Sequence, residues 1–250
     1  MKKIVAIGGG EIGRPGYPVE TTEIDKEIIR LAGKKNPRLL FIPTASADSQ
    51  SYYEIVKQHF GKDLGCKTDV LYLINKDLSK KEIKKKVFGS DIIYVGGGDT
   101  LKMMKIWRKT GTDKILEQAY AKGIVLSGVS AGSISWFRWG NSDSRKSVDS
   151  NADFIKVSGL GFIKALNCPH YDFDKERKPG VKKMMKKTAG VAIAIENCCA
   201  IEIIDNRYRI ISSKASANAY KAYWKADEYH EEAIKKEKEL RPISGLLNKK

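Results

Sequence analysis

The chain has 250 residues, 46 of them Lys or Arg and 30 Asp or Glu, for a formal net charge of +16. With 42% apolar and 30% charged residues it reads as a globular protein, which excludes disordered and fibrous classes. No stretch approaches the ~20 apolar residues of a membrane span, and the apolar run after Met1-Lys2-Lys3 stops at glycines, too short for a signal peptide. A cytoplasmic location is therefore expected.

In chain order, short β-branched runs predict strands over 2–7, 38–42, 69–73, 91–95 and 124–127. Helical spacing predicts helices over 22–32, 52–60, 80–87, 100–108 and 113–121. Continuous apolar strands alternating with amphipathic helices point to a parallel sheet covered on both faces. After Gly161 the rhythm changes. Runs at 191–195, 200–204 and 207–211, the last two joined through Asp205-Asn206, read as antiparallel strands extending the same sheet. Residues 222–238 read as a charged helix followed by a tail. No internal repeat or long linker divides the chain, so one α/β domain over 1–250 is expected.

The basic excess sits mostly in short lysine groups such as Lys84-Lys85-Lys86, Lys182-Lys183 with Lys186-Lys187, and Lys235-Lys236. Each lies in a segment with helical apolar spacing and reads as a solvated helix face. No aromatic-interleaved basic motif accompanies them, so a nucleic-acid partner is not expected. Cys66, Cys168 and the adjacent Cys198 and Cys199 form no C-x-x-C pair and have no histidine at ligand spacing. They read as reduced core thiols rather than metal ligands.

Two glycine loops invite a functional reading. Gly8-Gly9-Gly10-Glu11-Ile12-Gly13 has the dinucleotide spacing G-x-G-x-x-G, which requires a helix to start within it. Pro15, Gly16 and Pro18 follow and delay the helix to about Thr21, and the second strand runs into Ile42-Pro43-Thr44 with no acidic residue for a ribose. A dinucleotide site does not fit. The loop Gly128-Val129-Ser130-Ala131-Gly132 is G-x-S-x-G between an apolar strand and a helical segment, the context of a nucleophile elbow.

A serine nucleophile needs a base. His59 and His230 fall in segments read as helical and suggest surface or packing residues. His170 follows Asn167-Cys168-Pro169 in a loop and is the base by elimination. It would impose an activity limb with an apparent pKa near ~6–7. The carboxylate orienting the imidazole is expected to be Asp143, with Asp149, Asp153, Asp172 and Glu196 as competitors. The oxyanion hole would take one N–H from Ala131 and another from the loop Gly96-Gly97-Gly98-Asp99-Thr100, through Gly98.

Together, Ile42-Pro43-Thr44-Ala45-Ser46, Gly96-Gly97-Gly98-Asp99-Thr100, Gly128-Val129-Ser130-Ala131-Gly132 and Pro169-His170-Tyr171 resemble the peptidase E / cyanophycinase family of serine peptidases over roughly residues 1–210. The resemblance implies a three-layer fold like class I glutamine amidotransferases (flavodoxin-like), with a mostly parallel sheet and helices on both faces. It implies Ser130 as nucleophile, His170 as base, an Asp or Glu third member, and neither metal nor cofactor. Asn141-Ser142-Asp143 is similar, with a small length change, to the stretch carrying the acid in peptidase E. The implied activity is hydrolysis of dipeptides with an amino-terminal Asp.

The expected partner is a small peptide bound by a monomer or homodimer, with no membrane partner. Asp99, Thr100, Arg138 and Arg177 are the expected substrate contacts, because a β-carboxylate calls for a bidentate guanidinium. Three alternatives remain: a cyanophycinase-like peptidase on aspartyl-arginine polymer, an α/β-hydrolase esterase, and a non-catalytic ligand-binding member of the fold.

Overall fold

A computed structural model describes residues 1–146 and 148–249. The first half alternates as expected. Strand β1 (Lys3–Ile7) leads to helix α1 (Thr22–Ala32), β2 (Arg38–Ile42), α2 (Gln50–Val56), β3 (Lys67–Val70), α3 (Lys80–Phe88) and β4 (Ile92–Val95). Then come α4 (Thr100–Thr110), α5 (Thr112–Ala121), β5 (Val125–Val129) and α6 (Ala131–Trp136). The strands pair in parallel in the order β1-β5-β4-β2-β3.

Alternate side chains of these strands feed two cores. Val5, Ile7, Phe41 and Tyr94 pack with Ile24 and Ile28 of α1 on one face, while Ile4, Ala6, Ile93 and Val95 pack with Met103, Met104 and Trp107 of α4 on the other. Each such side chain, fully withdrawn from water, contributes about 1.5–3 kcal/mol. The helix read over 52–60 is α2 continued by a π-helical run, Lys57–Asp63, which buries His59 against Asp25 (Nε2 to Oδ2, 2.8 Å).

The second half departs from expectation by building a second sheet. After β6 (Phe137–Ser142), β7 (Ile155–Ser158), β8 (Ile163–Cys168) and α7 (Arg177–Met185) come β9 (Ala192–Ile195), β10 (Cys199–Ile204) and β11 (Arg207–Ser212). The chain continues through β12 (Ala219–Lys225), β13 (Glu228–Ala233), β14 (Arg241–Pro242) and α8 (Ile243–Leu247). Strands β10, β11 and β14 extend the first sheet antiparallel beyond β1, as expected for 200–211. Strand β9 instead joins a six-stranded sheet ordered β13-β12-β9-β8-β6-β7 and pairs in parallel with β8.

Residues 222–238 are not a helix. They complete β12, turn at Ala226 and Asp227, both at positive φ (49° and 61°), and return as β13. Two successive positive φ values suit the right-handed twist of a tight hairpin. Tyr220, Tyr223, Trp224 and Tyr229 favour strands, which a charge-based helical reading overlooks. His230 therefore sits on a strand, stacked on Tyr223 at 5.0 Å, and Lys235-Lys236 lies beyond β13 rather than on a helix. Among the described residues the four cysteines are free and buried, and no helix is long and apolar enough to cross a membrane.

Candidate active site

Strand β5 ends at Val129 and α6 begins at Ala131, leaving Ser130 in the bend at φ 56°, ψ −113°. That conformation costs an L-residue on the order of 1–3 kcal/mol and lifts the hydroxyl out of the sheet. The bend closes because glycines flank it: a methyl group on Gly132 would overlap the Val95 carbonyl. The Ser130 N–H donates to Ile7 O at 3.1 Å and ties the elbow to β1.

His170 leaves β8 after Pro169 at φ 53°, and its N–H donates to Gly8 O at 3.1 Å. Its Nε2 lies 2.9 Å from Ser130 Oγ, and its Nδ1 lies 2.7 Å from Asn197 Oδ1. An amide oxygen only accepts, so Nδ1 carries the proton and Nε2 offers its lone pair to the Ser130 O–H. Asn197, in the turn between β9 and β10, is held in turn by its own N–H donating to Asp172 Oδ1 at 2.8 Å. Gly9 makes the assembly possible, because a methyl group there would overlap both Asn197 Oδ1 and His170 Nδ1. The Gly8–Gly13 loop thus packs against the imidazole, and no helix begins until α1.

The third position therefore differs from the sequence expectation. Asp143 does not hold the imidazole: its Oδ2 accepts from Arg177 Nη2 at 2.9 Å, and the carboxylate is half exposed. The Asp172 carboxylate reaches His170 only through the Asn197 backbone. Glu196 turns away and accepts from Asn218 N and the Tyr220 hydroxyl. Asp149 Oδ1 accepts from the Asn151 N–H, and Asp153 pairs with Lys183. A search confined to carboxylates misses Asn197. The signal available was its place beside Glu196, between two apolar runs.

Burial pushes the His170 pKa below the ordinary imidazole value and the Arg177 guanidinium acts in the same sense, against the Asn197 hydrogen bond and the Asp143 and Asp172 carboxylates. His170 is thus neutral, the state a general base needs, at neutral pH. Replacing Asn197 by Asp puts a carboxylate against Nδ1 and favours the imidazolium. Asn197→Asp is expected to move the acid limb of kcat/KM upward by about one to two pH units. Asp143→Asn, which removes a more distant negative charge, is expected to shift it less and downward. Rate profiles from pH 4 to 8 check both signs.

The expected oxyanion donors flank the elbow. Ala131 is the first residue of α6, where an N–H has no partner within the helix. Gly97 packs against Ser130 Cβ, and Gly98 follows at φ 133°. The Gly97 N–H approaches the Tyr52 hydroxyl, whose pKa burial pushes up to about 12.

The expected substrate contacts divide. Arg177 lines the cleft with His170 and Asn197, but its buried guanidinium is already engaged by Asn141 O (3.0 Å) and Asp143. Arg138 lies over the Trp139 ring, outside the lining of the clefts around Ser130 and His170. Asp99 caps α4, accepting from Lys102 N at 3.0 Å, and Thr100 is buried behind it, so neither lines these clefts. Arg14, which sequence reasoning did not single out, does. It lines the cleft beside Ser130, mostly exposed, its Nε donating to Glu11 Oε2 at 2.6 Å.

A strand–serine–helix elbow, with a histidine on the hydroxyl and an amide on the histidine, defines a serine hydrolase in an α/β fold. Residues 4–211 match the model of peptidase family S51, and the chain belongs to that family. It is 34% identical over 225 residues to an uncharacterized peptidase, YgaJ, of Bacillus subtilis (strain 168), covering 88% of this chain and 92% of the relative. An uncharacterized peptidase of Listeria monocytogenes, Lmo0363, is 28% identical over 136 residues, 53% of this chain and 64% of its own length.

Among solved structures, a peptidase from an acI-B1 Actinobacterium superposes with a TM-score of 0.70 at 17% identity, covering 94% of this chain and 97% of that one. A Listeria monocytogenes EGD-e protein assigned to peptidase E gives 0.64 at 22% identity, covering 85% and 98%. Both carry the same fold. The chain is thus a peptidase hydrolase of the serine, peptidase E type, as its motifs led one to expect.

Proposed function

We propose that the protein hydrolyses the peptide bond of dipeptides bearing an amino-terminal Asp, through Ser130, His170 and Asn197. The observation that carries the mechanism is the chain of hydrogen bonds from Ser130 Oγ through His170 to Asn197 Oδ1. His170 Nε2 takes the hydroxyl proton as Oγ bonds to the substrate carbonyl carbon, and the oxyanion is received by the N–H groups of Ala131 and Gly98. The carbon–nitrogen bond then breaks, and His170 returns the proton to the leaving amine. Water, deprotonated by the same nitrogen, cleaves the acyl-enzyme and restores Ser130. Asn197 keeps Nδ1 protonated throughout, the role that the amide oxygen has in Cys-His-Asn peptidases.

The charges beside Ser130 fit a zwitterionic acyl residue. Glu11 is held as a carboxylate below the usual range: burial works to raise its pKa, and hydrogen bonds from Arg14 and Ile12 outweigh it. Glu11 supplies an anion for the substrate ammonium and Arg14 a cation for the β-carboxylate. Arg177, whose two Nη atoms are taken by Asn141 and Asp143, serves the cleft wall instead.

Asp-Leu is expected to exceed the isosteric Asn-Leu in kcat/KM by several-fold to about tenfold, since the charged partner is exchanged for an amide at a guanidinium that is mostly exposed. Arg14→Gln should remove most of that preference. Equal values for the two dipeptides in the native protein contradict acid recognition and leave the serine mechanism untouched.

A further inference from the structure

Two clefts meet at the imidazole. On one side a cleft of about 470 Å³ is lined by Gly97, Val129, Ser130 and Tyr52. On the other a cleft of about 790 Å³ is lined by Asn197, Arg177, Phe173 and Tyr17. His170, Gly10, Glu11 and Arg14 line both, while Ser130 lines only the first and Phe173 and Tyr17 only the second. The carbonyl carbon bonds to Ser130, whereas the leaving nitrogen must meet the proton on His170. With the acyl residue in the cleft at Ser130, the adjoining cleft with Phe173 and Tyr17 is the space left for the residue after the scissile bond.

Those two rings are exposed. Phe173 is 79% exposed and Tyr17 61%. Both are mounted on turns whose backbone is hydrogen-bonded. The Phe173 N–H donates to His170 O at 3.2 Å, and the Tyr17 N–H to Arg14 O at 2.9 Å, with the Arg14 guanidinium 5.1 Å above the Tyr17 ring. The two come from separate loops, after β8 and before α1, and meet at one cleft.

We propose that Phe173 and Tyr17 form the apolar walls of the leaving-group subsite and select a large apolar side chain in the residue after the scissile bond. This rests on the serine mechanism proposed above, and not on the preference for Asp. A leucine or phenylalanine side chain placed between the rings covers apolar surface on both partners, and an alanine methyl leaves most of it wet.

The test is kcat/KM for Asp-Ala, Asp-Leu and Asp-Phe, with the Asn-X series alongside. Asp-Leu and Asp-Phe are expected to exceed Asp-Ala by roughly tenfold, and the ratio should shrink below about threefold in Phe173→Ser and in Tyr17→Ser. Equal rates across X in the native protein, or an unchanged ratio in both variants, overturn the assignment. Calorimetric binding of the same dipeptides to Ser130→Ala protein reads the subsite without chemistry. If no Asp-X peptide is cleaved but the Leu and Phe dipeptides bind tighter than the Ala dipeptide, the dipeptidase reading fails and the subsite stands. Equal binding across the series overturns the subsite.

Discussion

Ser130→Ala is expected to lower kcat for peptide hydrolysis on the order of 10⁴–10⁶-fold, since removing the nucleophile of a triad leaves only binding and the oxyanion donors. The fold should survive, because the Ser130 hydroxyl bonds only His170 among the described contacts and the elbow is held by its backbone. A second substitution separates chemistry from strain. Ser130 sits at positive φ, where glycine pays no Cβ penalty. Ser130→Gly should be as inactive as Ser130→Ala yet melt a few degrees higher, about 2–4 °C for each kcal/mol recovered in a chain of this size. Residual turnover near the native rate in Ser130→Ala contradicts the mechanism.

His170→Ala is expected to cost as much as Ser130→Ala, and the double variant little more, because the two groups act as one unit. The pH dependence carries the sharper test. A protonated imidazole cannot accept the Ser130 proton, so the rate falls as pH drops through the His170 pKa. Burial lowers that pKa, so the midpoint should lie on the acid side of the ordinary ~6.5, below the ~6–7 that an unperturbed imidazole suggests. The residual activity of His170→Ala should lack this limb. A midpoint above 7 in the native enzyme contradicts the neutral, desolvated imidazole.

The parallel half of the fold and the serine elbow were legible because both are local in sequence. The strand ending in Gly128-Val129-Ser130-Ala131-Gly132 carries its own geometric signature, and with three histidines in the chain the base followed by elimination. What escaped depends on contacts between distant segments. Asn197 reaches His170 only because Gly9, on the loop after β1, leaves room for both side chains, and no spacing rule connects residues 9, 170 and 197. Asp143 stood beside the elbow helix in sequence, but Arg177, 34 residues later, takes its carboxylate.

The second sheet was missed for a related reason. Its strands β12 and β13 carry Lys221, Lys225, Glu228, Glu231 and Glu232, and one-dimensional charge density reads as a helix until the two positive φ values at Ala226 and Asp227 close the hairpin. Arg14 lies just past a glycine motif whose spacing draws attention to nucleotides, and its role emerges only from the cleft it shares with Ser130.

The most direct test of the site is its reaction with a fluorophosphonate, which labels a serine only where a base activates it and an oxyanion hole receives the phosphoryl oxygen. Intact mass followed by peptide mapping should show a single adduct on Ser130, formed faster as pH rises through the His170 pKa and absent from Ser130→Ala and His170→Ala proteins. A protein that cleaves peptides while Ser130 stays unlabelled, or that carries the adduct on another residue, contradicts the account.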